Sequence, residues 1–322
     1  MAPRLPLLNI PASYSDLNTK QIKITNHPAN STSVTPIQIV TLYRPGKLNA
    51  YTETMTEELE HVFGLFDLDN RVKAIVFTGD GRVFCAGADL DGGFKKIEGE
   101  SITIHQCRKP TICALQGSAV GVGITMTLPM AIRVAYSKAK IGFVFARRGL
   151  VMEAASSYFL PKLVGLSRAM HLITTGATYP ANHRLLDGLF SETVDTPEGV
   201  LPRALEIAQE YTDNCSGVSW ALMRDMMWRN PGSAEGAHLL DSRIIYSLFD
   251  TKDNVEGVKS FLEKRKVDFK GSMADSAPSS YPWWEPINVV ERAKVGRNVG
   301  ETEDPPLLIV NIHLTPGKVC LY

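Results

Sequence analysis

Short runs of β-branched and apolar residues alternate with polar turns over the first half of the chain, a pattern typical of β-strands. Between two of these runs, residues 52–70 place Met55, Leu59 and later apolar residues at three- and four-residue spacing, which predicts an amphipathic helix. Thr54 and Glu57 have the spacing of a capping box at its start. Strands are predicted over residues 22–25, 37–43, 74–78 and 111–116.

From Pro197 onward the pattern becomes helical. Apolar residues recur at three- and four-residue spacing, and Gly217, Pro231 and Gly232 interrupt them. Helices are predicted over residues 200–211, 218–228, 234–249 and 254–266. The whole pattern predicts an α/β fold with an N-terminal segment (1–20), a core (21–196), a helical region (197–270) and an irregular tail (271–322).

The composition narrows the class of protein. Hydrophobic residues make up 44% of the chain, and 34 basic residues balance 34 acidic ones, as in a globular protein without a charged face for nucleic acid or an anionic membrane. No run approaches the length of a transmembrane helix, and neither CxxC nor HExxH occurs, so we expect no metal. The cysteines are expected to be reduced core thiols; they are Cys85, Cys107, Cys113, Cys215 and Cys320.

Two glycine-containing turns follow apolar strands. One lies in FCAGADL (84–90), after the strand at 74–78, and the other spans residues 117–123, after the strand at 111–116. Turns of this kind leave backbone N–H groups unpaired, and glycine lets a polar ligand atom come close to them. The second turn is expected to continue as a helix. Together the turns predict a site that stabilises negative charge.

Glu153 is the candidate base of such a site. It stands between Met152 and Ala154 in an apolar segment, where burial would raise the pKa of its carboxyl towards neutral pH. A carboxylate beside unpaired N–H groups is suited to forming and holding an enolate. The alternatives are an ordinary helix-capping glutamate or a structural carboxylate bonded to Arg147 or Arg148.

Four motifs in this order resemble the crotonase (enoyl-CoA hydratase/isomerase) family: RPGKLNA (44–50), FCAGADL (84–90), KPTICALQGSAVGVG (109–123) and GLFSETV (188–194). The resemblance covers about residues 20–270. It implies a spiral core of ββα units, a C-terminal helical trimerisation region, and a homo-oligomer that is a trimer or a dimer of trimers. It also implies an acyl-CoA thioester substrate, with coenzyme A as part of that substrate and no separate cofactor.

Carried over position by position, the resemblance assigns an oxyanion hole to the backbone N–H groups of Ala88 and Val122. It implies that CoA or acyl contacts fall on Lys47, Ala50, Ala86, Gly87, Asp89, Leu90 and Gly121. The remaining pocket positions are Thr125 and Phe145.

The resemblance also suggests which chemistry to expect. Hydratases of the family have two glutamates, and the matching positions here hold Thr125 and Phe145, neither of which is a base. GLVMEAASSYFLPKLVG (149–165) instead resembles the segment that carries the base of fungal, peroxisomal-type Δ3,Δ2-enoyl-CoA isomerases, with Glu153 at the base position. We therefore expect such an isomerase. The alternatives are an enoyl-CoA hydratase that uses Glu153 and one water, or a non-catalytic acyl-CoA-binding scaffold.

The segment 91–108, which covers the acyl pocket in the family, is short here and is predicted to be a loop in which His105 packs or lies at the surface. Beyond residue 271 the resemblance ends. ERAKV (291–295) resembles a terminus with a peroxisomal tripeptide, whereas the final CLY is no such signal. We expect a peroxisomal or cytoplasmic location, with residues beyond about 294 as an extension.

Overall fold

A computed structural model of the chain describes residues 9–91 and 100–285, without the side chains of residues 100 and 101. Two compact units are separated between Tyr281 and Pro282. In the first unit the helices are α1 (Glu53–Leu68), α2 (Glu100–Gln106), α3 (Val122–Thr125), α4 (Ser156–Val164), α5 (Leu166–Thr175), α6 (Pro197–Asn214), α7 (Gly217–Trp228), α8 (Ala234–Leu248), α9 (Lys252–Glu263) and α10 (Met273–Ser276). The strands are β1 (Ile22–His27), β2 (Ile37–Leu42), β3 (Ala74–Gly79), β4 (Val83–Cys85), β5 (Thr111–Leu115), β6 (Ser118–Val120), β7 (Ile132–Tyr136), β8 (Lys140–Gly142), β9 (Thr178–Pro180) and β10 (Glu192–Val194).

The strands β3 to β8 form consecutive pairs, and the two members of each pair join different sheets. The larger sheet has the order β1-β2-β3-β5-β7-β10 and is parallel except for β1 against β2. The smaller sheet has the order β4-β6-β8-β9, in which β9 alone runs antiparallel to its neighbour. The repeated strand–strand unit confirms the predicted α/β spiral.

The central strands β3 and β5 of the larger sheet are buried on both faces, as a mostly parallel sheet requires. Side chains alternate along β3, so Ile75 and Phe77 join the main core, to which α1 also contributes. Ala74 and Val76 point the other way and join a second cluster, which α6 covers. The core therefore fixes the parallel strands, whose carboxyl ends hold the glycine turns.

The predicted helix at 52–70 is confirmed as α1, but its predicted cap is wrong. Thr52 is extended and its hydroxyl accepts a hydrogen bond from the Met55 N–H, so Thr52 is the N-cap residue. Thr54 lies inside the helix, where its backbone is already helical, and Thr54 and Glu57 therefore form no capping box there.

The C-terminal helices are confirmed with shifted bounds. The helix predicted at 200–211 extends over Pro197–Asn214, since Thr196 caps it and Pro197 fits the first turn, where its missing N–H costs nothing. The helices α7, α8 and α9 differ from their predicted bounds by at most three residues at either end.

The segment predicted as a loop at 91–108 contains α2. Ile104 and His105 are buried on this helix, and the His105 ring packs edge-on against Phe159 and Trp228. The packing role predicted for His105 agrees with this position. Burial lowers the pKa of His105 to about 3, so its ring is neutral at physiological pH.

Cys85, Cys107 and Cys113 are buried free thiols, whereas Cys215 is exposed, unlike the prediction. No helix in the described ranges is both long and apolar enough to cross a membrane. Cys320, the ERAKV motif and most of the predicted tail lie outside the described residues.

Candidate active site

The first glycine turn follows β4 and is held by the RPGKLNA segment. The N–H of Tyr51 donates to the Gly87 carbonyl, and the N–H of Asp89 donates to the Tyr51 carbonyl, both over 2.8 Å. Ala86 donates in turn to the Leu48 carbonyl over 3.1 Å. These bonds fix the backbone on both sides of Ala88, whose own N–H makes no hydrogen bond to another described residue.

Asn49 anchors the same turn from beneath. It is fully buried in a left-handed conformation with φ of 53°, a region that asparagine tolerates. Its side-chain amide donates to the carbonyls of Asp80 and Val83 over 2.8 and 2.9 Å, and its oxygen accepts from the Arg44 N–H over 2.8 Å. Sequence reasoning missed this role, although the left-handed tolerance of asparagine in RPGKLNA is a signal for it.

Charged side chains line the outer side of the first turn. Arg44 pairs with Asp89 at 2.8 Å, and its guanidinium also donates to the Ala50 carbonyl. Lys47 is exposed and pairs with Asp91 at 2.6 Å. Of the residues expected to contact CoA, Lys47 thus presents a charge at the surface, Asp89 is paired within the chain, and Leu90 is exposed.

The second glycine turn lies beside the first. The strands β4 and β6 pair in parallel, and a Cβ at Gly121 would lie 4.0 Å from the Gly87 Cα. Gly121 has φ of 54° and immediately precedes α3, whose first residue is Val122. The Val122 N–H makes no hydrogen bond within the described ranges. The turns that carry Ala88 and Val122 are therefore adjacent, as an oxyanion hole requires.

The second turn continues as a helix, as predicted, but the helix is a single turn. It spans only Val122–Thr125, and Thr127, Leu128 and Met130 close further turns with bonds to carbonyls three residues back. A helix of four residues adds little dipole at its N-terminus, because a macrodipole needs several aligned turns. Stabilisation of an anion here has to come from the individual N–H groups.

Arg133 fixes the chain after α3. Its buried guanidinium donates to the carbonyls of Leu189 and Met130 over 2.7 and 2.6 Å and to two further carbonyls, of Thr127 and Leu128. Burial lowers its pKa to about 10, so it remains charged at neutral pH. This cation ties β7 to the turns that support α3.

Glu153 sits on a strained backbone turn. The two residues after it, Ala154 and Ala155, have φ of 55° and 52°, a left-handed conformation that costs a residue with a Cβ about 1–2 kcal/mol. Ser156 begins α4, and both its N–H and its hydroxyl donate to the Glu153 carbonyl. Strain of this kind persists where surrounding structure enforces it, commonly at functional sites.

The Glu153 carboxylate is half-buried and has a single hydrogen-bond partner among the described residues. Thr125 Oγ1 donates to Glu153 Oε1 over 2.5 Å. Burial raises the pKa of Glu153 and the Thr125 bond opposes that rise. Arg147 and Arg148 do not pair with Glu153; they donate to the carbonyls of Thr175 and Arg147. The alternative of an arginine-bonded structural carboxylate is therefore wrong.

The two other predicted pocket positions differ in surroundings. Thr125 is fully buried on α3 and contacts Glu153, a link that sequence reasoning missed because it treated the side chain as a pocket wall. Phe145 is partly buried, packs against the main core and precedes the 3-10 turn Ala146–Arg148. Within the described ranges, no group of three His, Cys, Asp or Glu side chains is arranged to hold a metal ion.

The two-sheet spiral with adjacent glycine turns defines a crotonase-type α/β fold. A family model described as enoyl-CoA hydratase/isomerase matches residues 32–272. Over 252 residues the chain is 49% identical to "Enoyl-CoA hydratase AFT3-1" of Alternaria alternata, covering 75% of this chain and 85% of that protein. It is 30% identical over 245 residues to "Enoyl-CoA hydratase, mitochondrial" of Pongo abelii, covering 73% and 83%.

The solved structures agree with this assignment. A probable enoyl-CoA hydratase/isomerase from Mycobacterium abscessus matches with a TM-score of 0.68 at 26% identity, covering 74% of this chain and 96% of that one. The chain therefore belongs to the enoyl-CoA hydratase/isomerase family and is an acyl-CoA enzyme of that family.

Proposed function

We propose that this protein is a Δ3,Δ2-enoyl-CoA isomerase in which Glu153 is the base. The observation that carries the proposal is the state of Glu153: a half-buried carboxylate without a cationic partner among the described residues, bonded to one hydroxyl. Ionisation of such a group is costly, and proteins keep it where chemistry needs a base near neutral pH. The positions that carry the two glutamates in hydratases hold Thr125 and Phe145, neither of which is a base.

The reaction needs one group that takes a proton and later returns it. Glu153 removes the C2 proton of a 3-enoyl thioester, and the electrons of that C–H bond move to the thioester oxygen. The backbone N–H groups of Ala88 and Val122 hold the dienolate; each such donor contributes roughly 10²–10³ in rate. Glu153 then delivers the same proton to C4, and the double bond moves to C2–C3 without change in mass.

The residues around these groups bind and orient the substrate. Gly87 and Gly121 let the thioester oxygen approach the two N–H groups. The exposed ammonium of Lys47 exchanges its surface partner Asp91 for a CoA phosphate when substrate binds. Ala50, Ala86, Asp89 and Leu90 surround the first turn and shape the entrance. We place the reaction in fatty-acid β-oxidation or in tailoring of a fatty-acyl secondary metabolite, in a peroxisomal or cytosolic enzyme.

Hydration of a 2-enoyl-CoA is the second candidate, favoured by the names of the Alternaria alternata relatives, which are enoyl-CoA hydratases. In that reaction Glu153 would activate one water, and a group other than Thr125 or Phe145 would supply the C2 proton. The absence of a carboxylate at both of these positions favours the isomerase.

Product analysis decides between these reactions. The protein is incubated with a 3-enoyl-CoA and, separately, with a 2-enoyl-CoA, and the products are analysed by mass spectrometry. We expect conversion of the 3-enoyl-CoA at constant mass. A gain of one water from the 2-enoyl-CoA, without isomerisation, would establish the hydratase, and unchanged thioesters with measurable binding would establish a non-catalytic scaffold.

We also propose that the active form is a trimer or a dimer of trimers. Several large apolar side chains on the C-terminal helices are exposed in the single chain: Met223, Met227, Ile245, Phe261 and Leu262. Exposed apolar surface of this extent usually marks an interface. Ile244, the neighbour of Ile245 on α8, is buried within the chain instead. Light scattering at micromolar concentration should give a multiple of three chains, and a monomeric mass would contradict the proposal.

A further inference from the structure

The hydrogen bond between Thr125 and Glu153 is short, partly buried and formed between residues far apart in the sequence. Thr125 is fully buried, and its hydroxyl lies 2.5 Å from Glu153 Oε1 although the two residues are 28 positions apart. A neutral hydroxyl that donates to a carboxylate forms a short, charge-assisted bond. The other carboxylate oxygen, Oε2, makes no hydrogen bond to a described residue.

We propose that Thr125 is a positioning residue that holds Oε1 of Glu153, so that Oε2 is the oxygen that exchanges the proton with substrate. This inference rests on the proposed function. The proton taken from C2 bonds to Oε2 and leaves from there to C4, while the Thr125 proton stays on Thr125 throughout. Thr125 thereby fixes the carboxylate orientation during both transfers.

The same residue links the base to the proposed oxyanion hole. The Thr125 and Ile124 N–H groups both donate to the Gly121 carbonyl over 3.1 Å. That carbonyl belongs to the peptide group whose N–H is that of Val122, and bonds to a peptide carbonyl polarise the N–H on its other side. One helical turn therefore carries the Val122 donor at its first residue and the Glu153 anchor at its last.

None of the charged or titratable side chains described around Glu153 bonds to its carboxylate, so the Thr125 hydroxyl is its principal polar contact. The strand β4 presents Cys85, whose thiol is neutral because burial raises its pKa to about 12. The 3-10 turn before Glu153 carries Arg147 and Arg148, which bond to backbone carbonyls elsewhere. Removal of the Thr125 hydroxyl thus leaves the ionised carboxylate without a donor among the described residues, which raises the pKa of Glu153.

The test is the pH dependence of kcat/KM for 3-enoyl-CoA isomerisation in Thr125→Val, which keeps the side-chain shape without the hydroxyl. The acidic limb of the profile reports the base of the free enzyme. We expect it to move to higher pH by about one unit and kcat to fall roughly tenfold, with KM nearly unchanged, since the lost bond favours the ionised form. Thr125→Ser should restore the wild-type profile.

Thr127 offers a matched control. It is fully buried two residues further on, and its hydroxyl donates to the Ile124 carbonyl over 2.8 Å without contact to Glu153. Thr127→Val should leave the acidic limb in place. A Thr125→Val profile that overlays the wild type, or a uniform loss of rate without a pH shift, would overturn the inference. If Thr125→Val does not fold, Thr125→Ala supplies the same comparison.

A second readout separates this inference from the proposed function. Infrared titration of the Glu153 carboxyl, taken as the difference between each protein and its Glu153→Gln partner, gives the pKa without turnover. If the pKa of Glu153 is the same in Thr125→Val as in wild type, Thr125 does not position the carboxylate, even if Glu153 proves to be the base. An active Glu153→Gln enzyme refutes the proposed function, while the infrared shift still decides whether Thr125 holds the carboxylate.

Discussion

Glu153 and Asp225 are both carboxylates whose pKa burial raises, yet their surroundings differ. Asp225 lies in the last turn of α7, accepts hydrogen bonds from Arg224 and Tyr281 over 2.9 Å each, and has an almost fully buried side chain. Glu153 accepts from one hydroxyl and precedes two alanines in a left-handed conformation.

The difference in partners distinguishes a buried acid that stabilises the fold, Asp225, from one placed for chemistry, Glu153. The Arg224 guanidinium that faces Asp225 also donates to the carbonyl of His105, so the ion pair links α7 to α2. Arg224 and Asp225 compensate each other's charge, as expected of a structural ion pair. At Glu153 the carboxylate has no cationic partner among the described residues, and the backbone after it is strained. Neither feature stabilises the fold, and both fit a role in proton transfer.

The largest effect is expected from Asp225→Asn, which leaves Arg224 buried without its anion. Loss of one member of a buried ion pair typically costs about 3–5 kcal/mol. The free energy of unfolding, measured by urea denaturation at fixed protein concentration, should fall by that amount, while the kcat of folded enzyme is retained. The control is Asp268→Asn, whose pair with Lys270 is exposed on both sides and should cost less than about 1 kcal/mol. Equal losses in the two variants would contradict the comparison.

Glu153→Gln should act on rate rather than on folding. It keeps the shape of the side chain but removes the base, and we expect 3-enoyl-CoA isomerisation to fall at least about 10²-fold. Acyl-CoA affinity, measured by calorimetry, should be nearly unchanged. The exposed Glu235 on α8 provides a control, since Glu235→Gln should retain the full rate. Near-normal isomerisation by the Glu153 variant would show that the base lies elsewhere.

Glu153→Gln should also be more stable than wild type at neutral pH. Below the ordinary glutamate pKa the carboxyl is protonated in folded and unfolded chains, so the two proteins should unfold alike. Above that value the unfolded chain ionises freely, whereas the folded pKa is raised, so wild type loses stability until the pH exceeds the folded pKa. Denaturation midpoints of both proteins should therefore separate as pH rises from about 4 to 8. Parallel curves would contradict a desolvated Glu153.

The smallest effect concerns the strained turn. Ala154→Gly removes the Cβ from a left-handed position and should stabilise the protein by up to about 1 kcal/mol. Ala146, in the 3-10 turn Ala146–Arg148, is the matched control, and Ala146→Gly should be neutral or destabilising by a similar amount. Thermal unfolding measures both. Destabilisation by the Ala154 variant would show that the turn is not strained.

The sequence by itself determined several of the main elements and the order in which they occur. Alternating apolar residues predicted β1 and β2, and wholly apolar runs predicted β3 and β5, all within two residues at either end. A strand buried on one face alternates, and a strand buried on both faces is apolar throughout. Three- and four-residue spacing likewise gave α1 and α7, whose buried faces are continuous along the chain. The candidate base was also identifiable, since an isolated carboxylate in an apolar segment is visible locally.

Only the tertiary structure decided what faces Glu153. The contact with Thr125 joins residues on different elements, and the approach of Gly121 to Gly87 depends on the parallel pairing of β6 with β4. The role of Asn49, which bonds to carbonyls more than 30 positions away, is non-local in the same way. Local periodicity records which face of an element is buried, but the partner across the interface is set by how the sheets pair, and that pairing has no local signature.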